Sequence, residues 1–492
     1  MSELYQIYLG ISRIMLPVLA MLCAFLWCRL YIGTRKKMTV LCELFLGGTN
    51  SLYVYAAQNI IGRGKSCDIR IPVQTVSRKH AMLYERDNGW FICPLDGKVL
   101  LNDEEITEPA EIFEGDRFEI SGHPIIFRSA PKTVPTKERE PSGGLLLLML
   151  TLFQVVMCGQ ICLRFQNELN MNIPLSFGLL IATEWIYFAV TRLFNNFRII
   201  AESAVLFLCT VGLAITACID PDDLVKQVAC VFIGFVGFVL LTVILTHQNV
   251  VLALRPYVAI FAVLLLFITA FFGINFNGSR NWLSIGGVTF QPSEFAKVAF
   301  IFSGAAALYP ADLKLKSRLL FLCFSGACMA ALAKMVDFGA VAIFFVAMIV
   351  ILLMRQTDTK FVIAIIAVAV LGATLLIAVF PHIASRFDVW GHIWEQASGA
   401  GYQQTRTLVA AASGGLLGLG GGNGTLHNII AADTDLVYGI VCEEWGWLIA
   451  FCVAACFAGL GFYAVRLAKR CRSPYFAISV CAAAAVMVFQ TA

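Results

Sequence analysis

Charge is scarce in this sequence: only 14% of its 492 residues are Asp, Glu, Lys or Arg, while 59% are hydrophobic and the mean hydropathy is +0.79. An ordinary soluble domain carries about 25% charged and about 45–50% apolar residues, so the deficit excludes a wholly soluble chain and makes this an integral membrane protein. No run of Arg and Lys is interleaved with aromatics, and a net charge of +4 is mild, which removes nucleic acid as a partner. No CxxC pair occurs among the 17 cysteines; most lie inside apolar runs, as Cys323 and Cys328 or Cys452 and Cys456 do, and read as small buried hydrophobes. The six histidines form no HExxH, so a zinc enzyme of that type has no support. The first apolar stretch, Ile14 to Trp27, has neither a leading basic region nor a small-residue cleavage site, and Arg29, Arg35, Lys36 and Lys37 follow it. It reads as a retained anchor, not a removed signal.

What is present divides between two solvents. Residues 1–40 form a membrane anchor, 41–130 read as ordinary soluble sequence, 131–142 as a linker, and the remainder as a succession of long apolar runs. Runs long enough to cross a hydrocarbon core of roughly 30 Å, about 20 residues each, begin near Tyr5, Gly143, Pro174, Ile199, Leu224, Pro256, Phe290, Leu319, Phe338, Phe361, Leu436 and Tyr475, which predicts about twelve α-helical spans. The run from Leu319 is short and is separated from the next only by Lys334 to Asp337, which predicts a tight hairpin or a re-entrant segment. Threading the runs in alternating directions collects Arg29 to Lys37, Lys132 to Arg139, Arg192, Arg198, Arg255, Lys314 to Arg318, Arg355, Lys360 and Arg466 to Arg472 on one side, which the positive-inside rule makes cytoplasmic. The other side holds Asp220-Pro221-Asp222-Asp223, Asn275 to Gln291 and the long segment Pro381 to Asp435, rich in Gly and polar residues. A connection that long is a place to look for function.

Between Leu41 and Arg128, short β-rich segments are broken by turn signals such as Asn88-Gly89, Asp96-Gly97 and Glu114-Gly115-Asp116. That spacing predicts an all-β sandwich inserted between membrane spans. Within it lie Gly62-Arg63, Asp68-Ile69, Ser77-Arg78-Lys79-His80 and Asn102, a pattern that resembles a forkhead-associated (FHA) domain. The resemblance implies phosphothreonine recognition, with Arg63 and Ser77 on the phosphate, Arg78 adding to the site, Asn102 holding the peptide backbone, and Gly62 and His80 architectural. Asp103 stands where the family usually has Gly. A dianionic phosphate calls for a guanidinium fork and hydroxyl donors on rigid turns, so the residue types agree with that use. Basic flanks on both sides place the domain in the cytoplasm, where a Ser/Thr kinase or its phosphothreonine product is the expected partner.

Polar residues at membrane depth are costly, so their positions are informative. Gly278 to Leu283, Gln291-Pro292-Ser293-Glu294 with Lys297, Asp337-Phe338-Gly339, Gly401-Tyr402-Gln403, the glycines from Gly414 to Gly424, and Asp433-Thr434-Asp435 all fall at outward helix ends or in outward loops, which predicts one converging site. Glu294 and Lys297 are three apart on a helix and can pair. Glu443 and Glu444 enter a span, where one is expected to meet a buried basic group. In order and spacing this set resembles the SEDS family (shape, elongation, division and sporulation; the FtsW and RodA type) over residues 196–492, with residues 143–195 as two extra helices. The sequence stops before the family's last helix and its Pro-Phe-Ser-Tyr-Gly-Gly signature, so a bundle short of that helix is expected.

The resemblance implies polymerisation of lipid II into peptidoglycan glycan strands at the outer face of the bacterial plasma membrane. Asp435 then falls on the family's essential aspartate, Arg280 and Trp282 on its Gly-Ala-Arg-Arg-Trp loop, and Glu294 on its Gln-Pro-Ser-Glu motif. Lys297, Asp337, Tyr402 and Gln403 complete the expected substrate site. Asp435 suits a general base, and Arg280, Lys297 or a divalent cation (Mg²⁺ or Mn²⁺, held by Asp433 and Asp435) suits a departing diphosphate. Undecaprenyl-linked glycan and a class B penicillin-binding protein acting as transpeptidase are the expected companions. The alternative is a non-catalytic scaffold or a transporter of lipid-linked precursor, which needs a polar path through the bundle in place of a carboxylate at its rim.

Overall fold

The computed structural model describes residues 3–33, 40–46, 51–55, 57–64, 67–86, 89–129, 143–193, 199–245, 247–276, 279–285, 288–308, 315–354, 359–379, 391–469, 471 and 473–491. The expected linker 131–142, Gly278 and the side chain of Asp433 lie outside them.

Helix α1 (Glu3–Gly33) leads to the soluble part. There, eleven strands run from β1 (Cys42–Phe45) and β2 (Ser51–Val54) through β3 (Gln58–Gly62), β4 (Ile69–Arg70), β5 (Ala81–Arg86), β6 (Gly89–Pro94), β7 (Val99–Leu101), β8 (Glu104–Ile106) and β9 (Ala110–Ile112) to β10 (Arg117–Ile120) and β11 (His123–Ser129). They form two sheets, in the orders β2-β1-β11-β10-β7-β8 and β4-β3-β5-β6-β9. Alternation does the packing: Cys42 and Leu44 of β1, Phe118 and Ile120 of β10 and Ile125 of β11 turn inward and are fully buried, each contributing about 1.5–3 kcal/mol where the side chain is large. The β-rich segments read from sequence, near Leu44, Leu52, Asp68, Ala81, Trp90, Phe118 and Ile125, fall on β1, β2, β4, β5, β6, β10 and β11. β3, β7, β8 and β9 are additional.

The rest is helical: α2 (Gly144–Arg164), α3 (Asn172–Leu193), α4 (Ala201–Ile219), α5 (Leu224–Leu245), α6 (Gln248–Phe272), α7 (Pro292–Ala307), α8 (Leu315–Lys334), α9 (Phe338–Met354), α10 (Thr359–Val379), α11 (Tyr402–Gly414), α12 (Ala432–Asp435), α13 (Val437–Glu444), α14 (Gly446–Ala468) and α15 (Pro474–Thr491). Every expected apolar run falls on a helix, but among the described residues nine helices are long and apolar enough to cross a membrane. α9 and the apolar part of α10 are shorter, and α7 has 16 residues. Between α6 and α7, where a loop was expected, lies a small antiparallel sheet of β12 (Ile274–Phe276), β13 (Ser279–Ile285) and β14 (Val288–Phe290). α8 and α9 make the expected tight hairpin.

These helices build two hydrophobic cores. One is formed by α1 to α4, the start of α5 and α11 to α14; the other by α6 to α10 and α15. The chain leaves the first at α5, builds the second, returns to the first at α11 and ends in the second. In the second, Phe300 packs its ring against Phe321, Phe324 and Phe344 at centroid distances of 5.0–5.9 Å. The first contains a buried polar knot: Glu184 of α3 accepts from Thr151 Oγ1 (2.8 Å) and Gln154 Nε2 (3.0 Å) of α2, and Gln154 also donates to Thr210 Oγ1 of α4 (3.1 Å). The helices read from sequence as extra, α2 and α3, are therefore integral to the first core.

Candidate functional site

At Gly414, Gly418 and Gly424 the chain lies so close to α13 that a Cβ is excluded. A Cβ on Gly414 would collide with the Cys442 carbonyl and one on Gly418 with that of Glu444. Gly415, Gly418, Gly420 and Gly422 have φ of +55° to +97°, the left-handed region that glycine enters without strain. Leu419 and Gly420 donate their N–H groups to the carbonyls of Glu443 (2.9 Å) and Glu444 (2.7 Å).

The two buried carboxylates finish the attachment. Glu443 accepts from Thr425 N–H (2.8 Å), Thr425 Oγ1 (2.9 Å) and Leu426 N–H (3.0 Å), and Glu444 Oε2 accepts from Gly422 N–H (3.0 Å). Of the pair, it is Glu444 that meets a basic group, with His427 Nδ1 3.9 Å from its Oε1; the partners of Glu443 are amides and a hydroxyl.

The chain then turns through Ala431, left-handed at φ +60°, into the single turn of α12. Gln403 Nε2 holds the Ile430 carbonyl (3.0 Å), and the Asp435 N–H closes on Ala431 (2.9 Å). Asp435 itself is exposed and forms no ion pair among the described residues. Tyr402 is half-exposed, with the Arg406 guanidinium 5.3 Å from its ring centre. Tyr402, Gln403 and Asp435 thus share one rim of the first core.

Arg280, Trp282, Glu294, Lys297 and Asp337 belong to the second core instead. Lys297 is buried and pairs with Glu294 at 2.7 Å, so its charge is already met. Arg280 donates its N–H to the Met335 carbonyl (3.1 Å), while its side chain is exposed and makes no ion pair among the described residues. Asp337 is a junction. Its N–H bonds to the Leu332 carbonyl (3.1 Å) and the Val336 N–H to that of Ala333 (3.0 Å), the paired bonds of a helix ending in a left-handed residue; here that residue is Val336, at φ +61°, where glycine is usual. The Asp337 carboxylate caps α9 through Ala340 N–H (3.0 Å) and accepts from Asn281 Nδ2 (3.0 Å). No hydrogen bond or ion pair among the described residues joins this group to Tyr402, Gln403 or Asp435; the two sets of candidates are carried by two different cores.

Among the described residues no three His, Cys, Asp or Glu gather to hold an ion, and the side chain of Asp433, one of the two expected ligands, lies outside them.

At one end of the sandwich, Arg63 N–H bonds to the Ser77 carbonyl (2.9 Å) and Gly64 N–H to that of Arg78 (3.0 Å), so two loops carry Arg63, Ser77 and Arg78 side by side. Ser77 Oγ donates to the Asp96 carbonyl (2.9 Å). Buried His80 accepts the Ser77 N–H at Nδ1 (3.2 Å), which leaves Nε2 as the donor to the Lys98 carbonyl (2.9 Å). A Cβ on Gly62 would sit 2.6 Å from the Arg78 carbonyl oxygen, and one on Gly97 would strike the His80 ring. Both glycines are demanded by this packing.

Asn102 is not with them. It lies beyond β7, at the opposite end of that strand from Asp96 to Lys98, about 10 Å away at roughly 3.3 Å per residue. With Asp103 it makes a two-residue hairpin turn, both at positive φ (+49° and +72°), and its amide is engaged by Asp116 (3.1 Å) and Arg117 N–H (3.0 Å). The residues beside Ser77 that sequence reasoning overlooked are Asp96, Gly97 and Lys98.

Comparison with known proteins agrees with both halves. The FHA domain profile matches residues 59–121. The probable peptidoglycan glycosyltransferase FtsW of Alcanivorax borkumensis is 33% identical over 221 residues, 43% of this chain and 57% of that protein. That of Geobacter sp. is 28% identical over 249 residues, 49% and 68% respectively. The chain thus spans little more than half the length of the first of these relatives. A chain of a solved peptidoglycan synthase complex shares the fold at a TM-score of 0.50 and 19% identity, over 59% of this chain and 84% of its own. The profile of the FtsW, RodA and SpoVE cell cycle proteins matches residues 221–492, more than half of the sequence, and the chain belongs to that family.

Proposed function

We propose that this protein polymerises lipid II into glycan strands at the outer face of the bacterial plasma membrane, with Asp435 as the catalytic base. The observation that carries the reading is an exposed carboxylate, without an ion-pair partner among the described residues, at the end of a loop fixed at Leu419, Gly420, Gly422, Thr425, Leu426 and Ile430. A base is effective when its position is set before the substrate arrives. Asp435 takes the proton of the acceptor sugar's C4 hydroxyl as that oxygen bonds to the donor's anomeric carbon. The bond from that carbon to the diphosphate breaks, and the undecaprenyl diphosphate leaves with the electron pair. Arg280, exposed and unpaired, is the cation available to that diphosphate when substrate bridges the two cores; Lys297 is occupied by Glu294. A divalent cation, if bound, would be held through Asp435 and would neutralise charge on the departing diphosphate.

The sandwich, on the cytoplasmic side in this reading, takes a phosphothreonine segment on Arg63, Ser77 and Arg78, with Lys98 flanking, and so ties wall synthesis to a Ser/Thr kinase. A class B penicillin-binding protein is the companion that cross-links the product. The test is glycan synthesis from lipid II by the reconstituted protein. Asp435→Asn keeps size and insertion but removes the charge, and is expected to abolish polymer. Near-normal synthesis by that variant sinks the assignment, and lipid II translocation without polymer returns the transporter reading.

A further inference from the structure

Gln160 sits in the C-terminal part of the apolar helix α2, at 1% exposure, and both ends of its amide are hydrogen-bonded. Its Oε1 accepts the Gly421 N–H (3.1 Å) and the Trp445 indole N–H (3.2 Å), and its Nε2 donates to Ser12 Oγ on α1 (2.8 Å). Beside it, Asn423 Nδ2 donates to the Tyr5 hydroxyl (2.6 Å), Gly420 packs on Leu9 of α1, and a Cβ on Gly422 would meet Phe165 at 2.9 Å. Residues 420–423 are therefore gripped on one side by α1 and α2 and on the other by Glu443 and Glu444.

A leucine would fill the same space without the desolvation that an amide costs, so filling space does not account for Gln160. What the amide adds is direction: one acceptor fixes a loop N–H and a ring N–H together, and Ser12 fixes the amide. The family match begins at residue 221, so the side of this grip supplied by α1 and α2 lies outside it.

We infer that Gln160, braced by Ser12, is a positioning residue for the glycine loop, and that α1 and α2 thereby help set where Asp435 stands. The second half of that statement rests on the reading of Asp435 as the base. Between Gly421 and Asp435 the chain is held at Gly422, Thr425, Leu426 and Ile430, so a shift at Gly421 has little slack in which to disappear. α1 and α2 also bracket the β-sandwich in the chain, which puts the sandwich and the loop at opposite ends of the same helix pair.

The test is hydrogen–deuterium exchange on the full chain in lipid nanodiscs, followed in peptides covering 415–426 and 292–354. Gln160→Leu is expected to speed exchange of the first set at least about tenfold, the equivalent of about 1.4 kcal/mol, and to leave the second unchanged. Gln160→Glu keeps the acceptor oxygens, lets Ser12 donate, and is expected to restore most of the protection. Ser12→Ala, a smaller lesion for the case that Gln160→Leu fails to insert, is expected to give a rise of about threefold. Unchanged exchange of the loop, a rise shared by both cores, or failure of Gln160→Glu to restore protection overturns the proposal. In glycan synthesis, Gln160→Leu is expected to lower kcat at least about tenfold with KM little changed, as a displaced base requires. If the wild-type protein makes no polymer, the reading of Asp435 falls and loop exchange alone decides the role of Gln160.

Discussion

Asp337 shows how one side chain serves structure and is drawn into a functional motif. It ends α8, caps α9 and receives Asn281 from the β-sheet, all from one position. Asp337→Ala is expected to cost about 1–2 kcal/mol for the cap alone, whereas Asp337→Asn keeps an acceptor oxygen and should unfold close to wild type. Thermal midpoints of the two variants, read beside glycan synthesis, separate the roles: activity lost in Asp337→Asn at unchanged midpoint would make the carboxylate a substrate contact.

In the sandwich, Arg63 and Asn102, two of the polar residues singled out from sequence, are expected to behave oppositely. Arg63→Ala should weaken a phosphothreonine peptide by about 2–3 kcal/mol, roughly 30- to 150-fold, through loss of a charge-assisted contact. Asn102→Ala should leave that affinity unchanged and lower stability by about 1 kcal/mol, since its amide holds the β10 turn. Titration of the full chain with phosphorylated and unphosphorylated peptide libraries checks the first, and thermal unfolding the second.

Among the elements, the glycine loop is the least tolerant of change. Gly418→Ala places a Cβ against the Trp445 and Glu444 backbone at φ +78° and is expected to detach the loop and abolish polymer. Gly10→Ala, in α1 with nothing near its Cβ, should be neutral or stabilise by up to about 1 kcal/mol through helix propensity. Equal expression and activity of the two variants would show that the close approach is not needed.

Legibility from sequence followed the same division by element. A long apolar run has few meanings, so most helices were readable to within a few residues, although α6 begins at Gln248 and not near Pro256, and the run from Leu436 is divided between α13 and α14. β7 and β8, at three residues each, carry barely one period of alternation and gave no signal. Asn102 was assigned to the peptide site by resemblance alone, and β7, which separates it from Asp96 to Lys98, was not read from sequence. Asp435 and Arg280 were visible as motif positions, but their division between two cores was not, since nothing local says which core a helix joins. Gln160 was invisible for a plainer reason: its partner Gly421 is 261 residues away.

At the scale of the molecule, two cores made from interleaved stretches of chain meet along α14 and α15 and along α5 and α6. Phe300→Ala, in the middle of the second core, is expected to cost about 3–5 kcal/mol. Its effect on exchange should appear first in residues 292–354 and later in 201–219; simultaneous loosening would mean that the cores melt as one.

The interleaving also has a cost in time. At about 5–20 residues per second of synthesis, roughly 10–50 s pass between the emergence of Gln160 and that of Gly421. Until then α1 and α2 stand in the bilayer with an amide whose outward partners have not been made. The nascent protein must either keep Gln160 facing Ser12 or shield it with an insertion factor. The partners of Gln160 are complete only once Trp445 has followed the loop, so the first core closes late in synthesis.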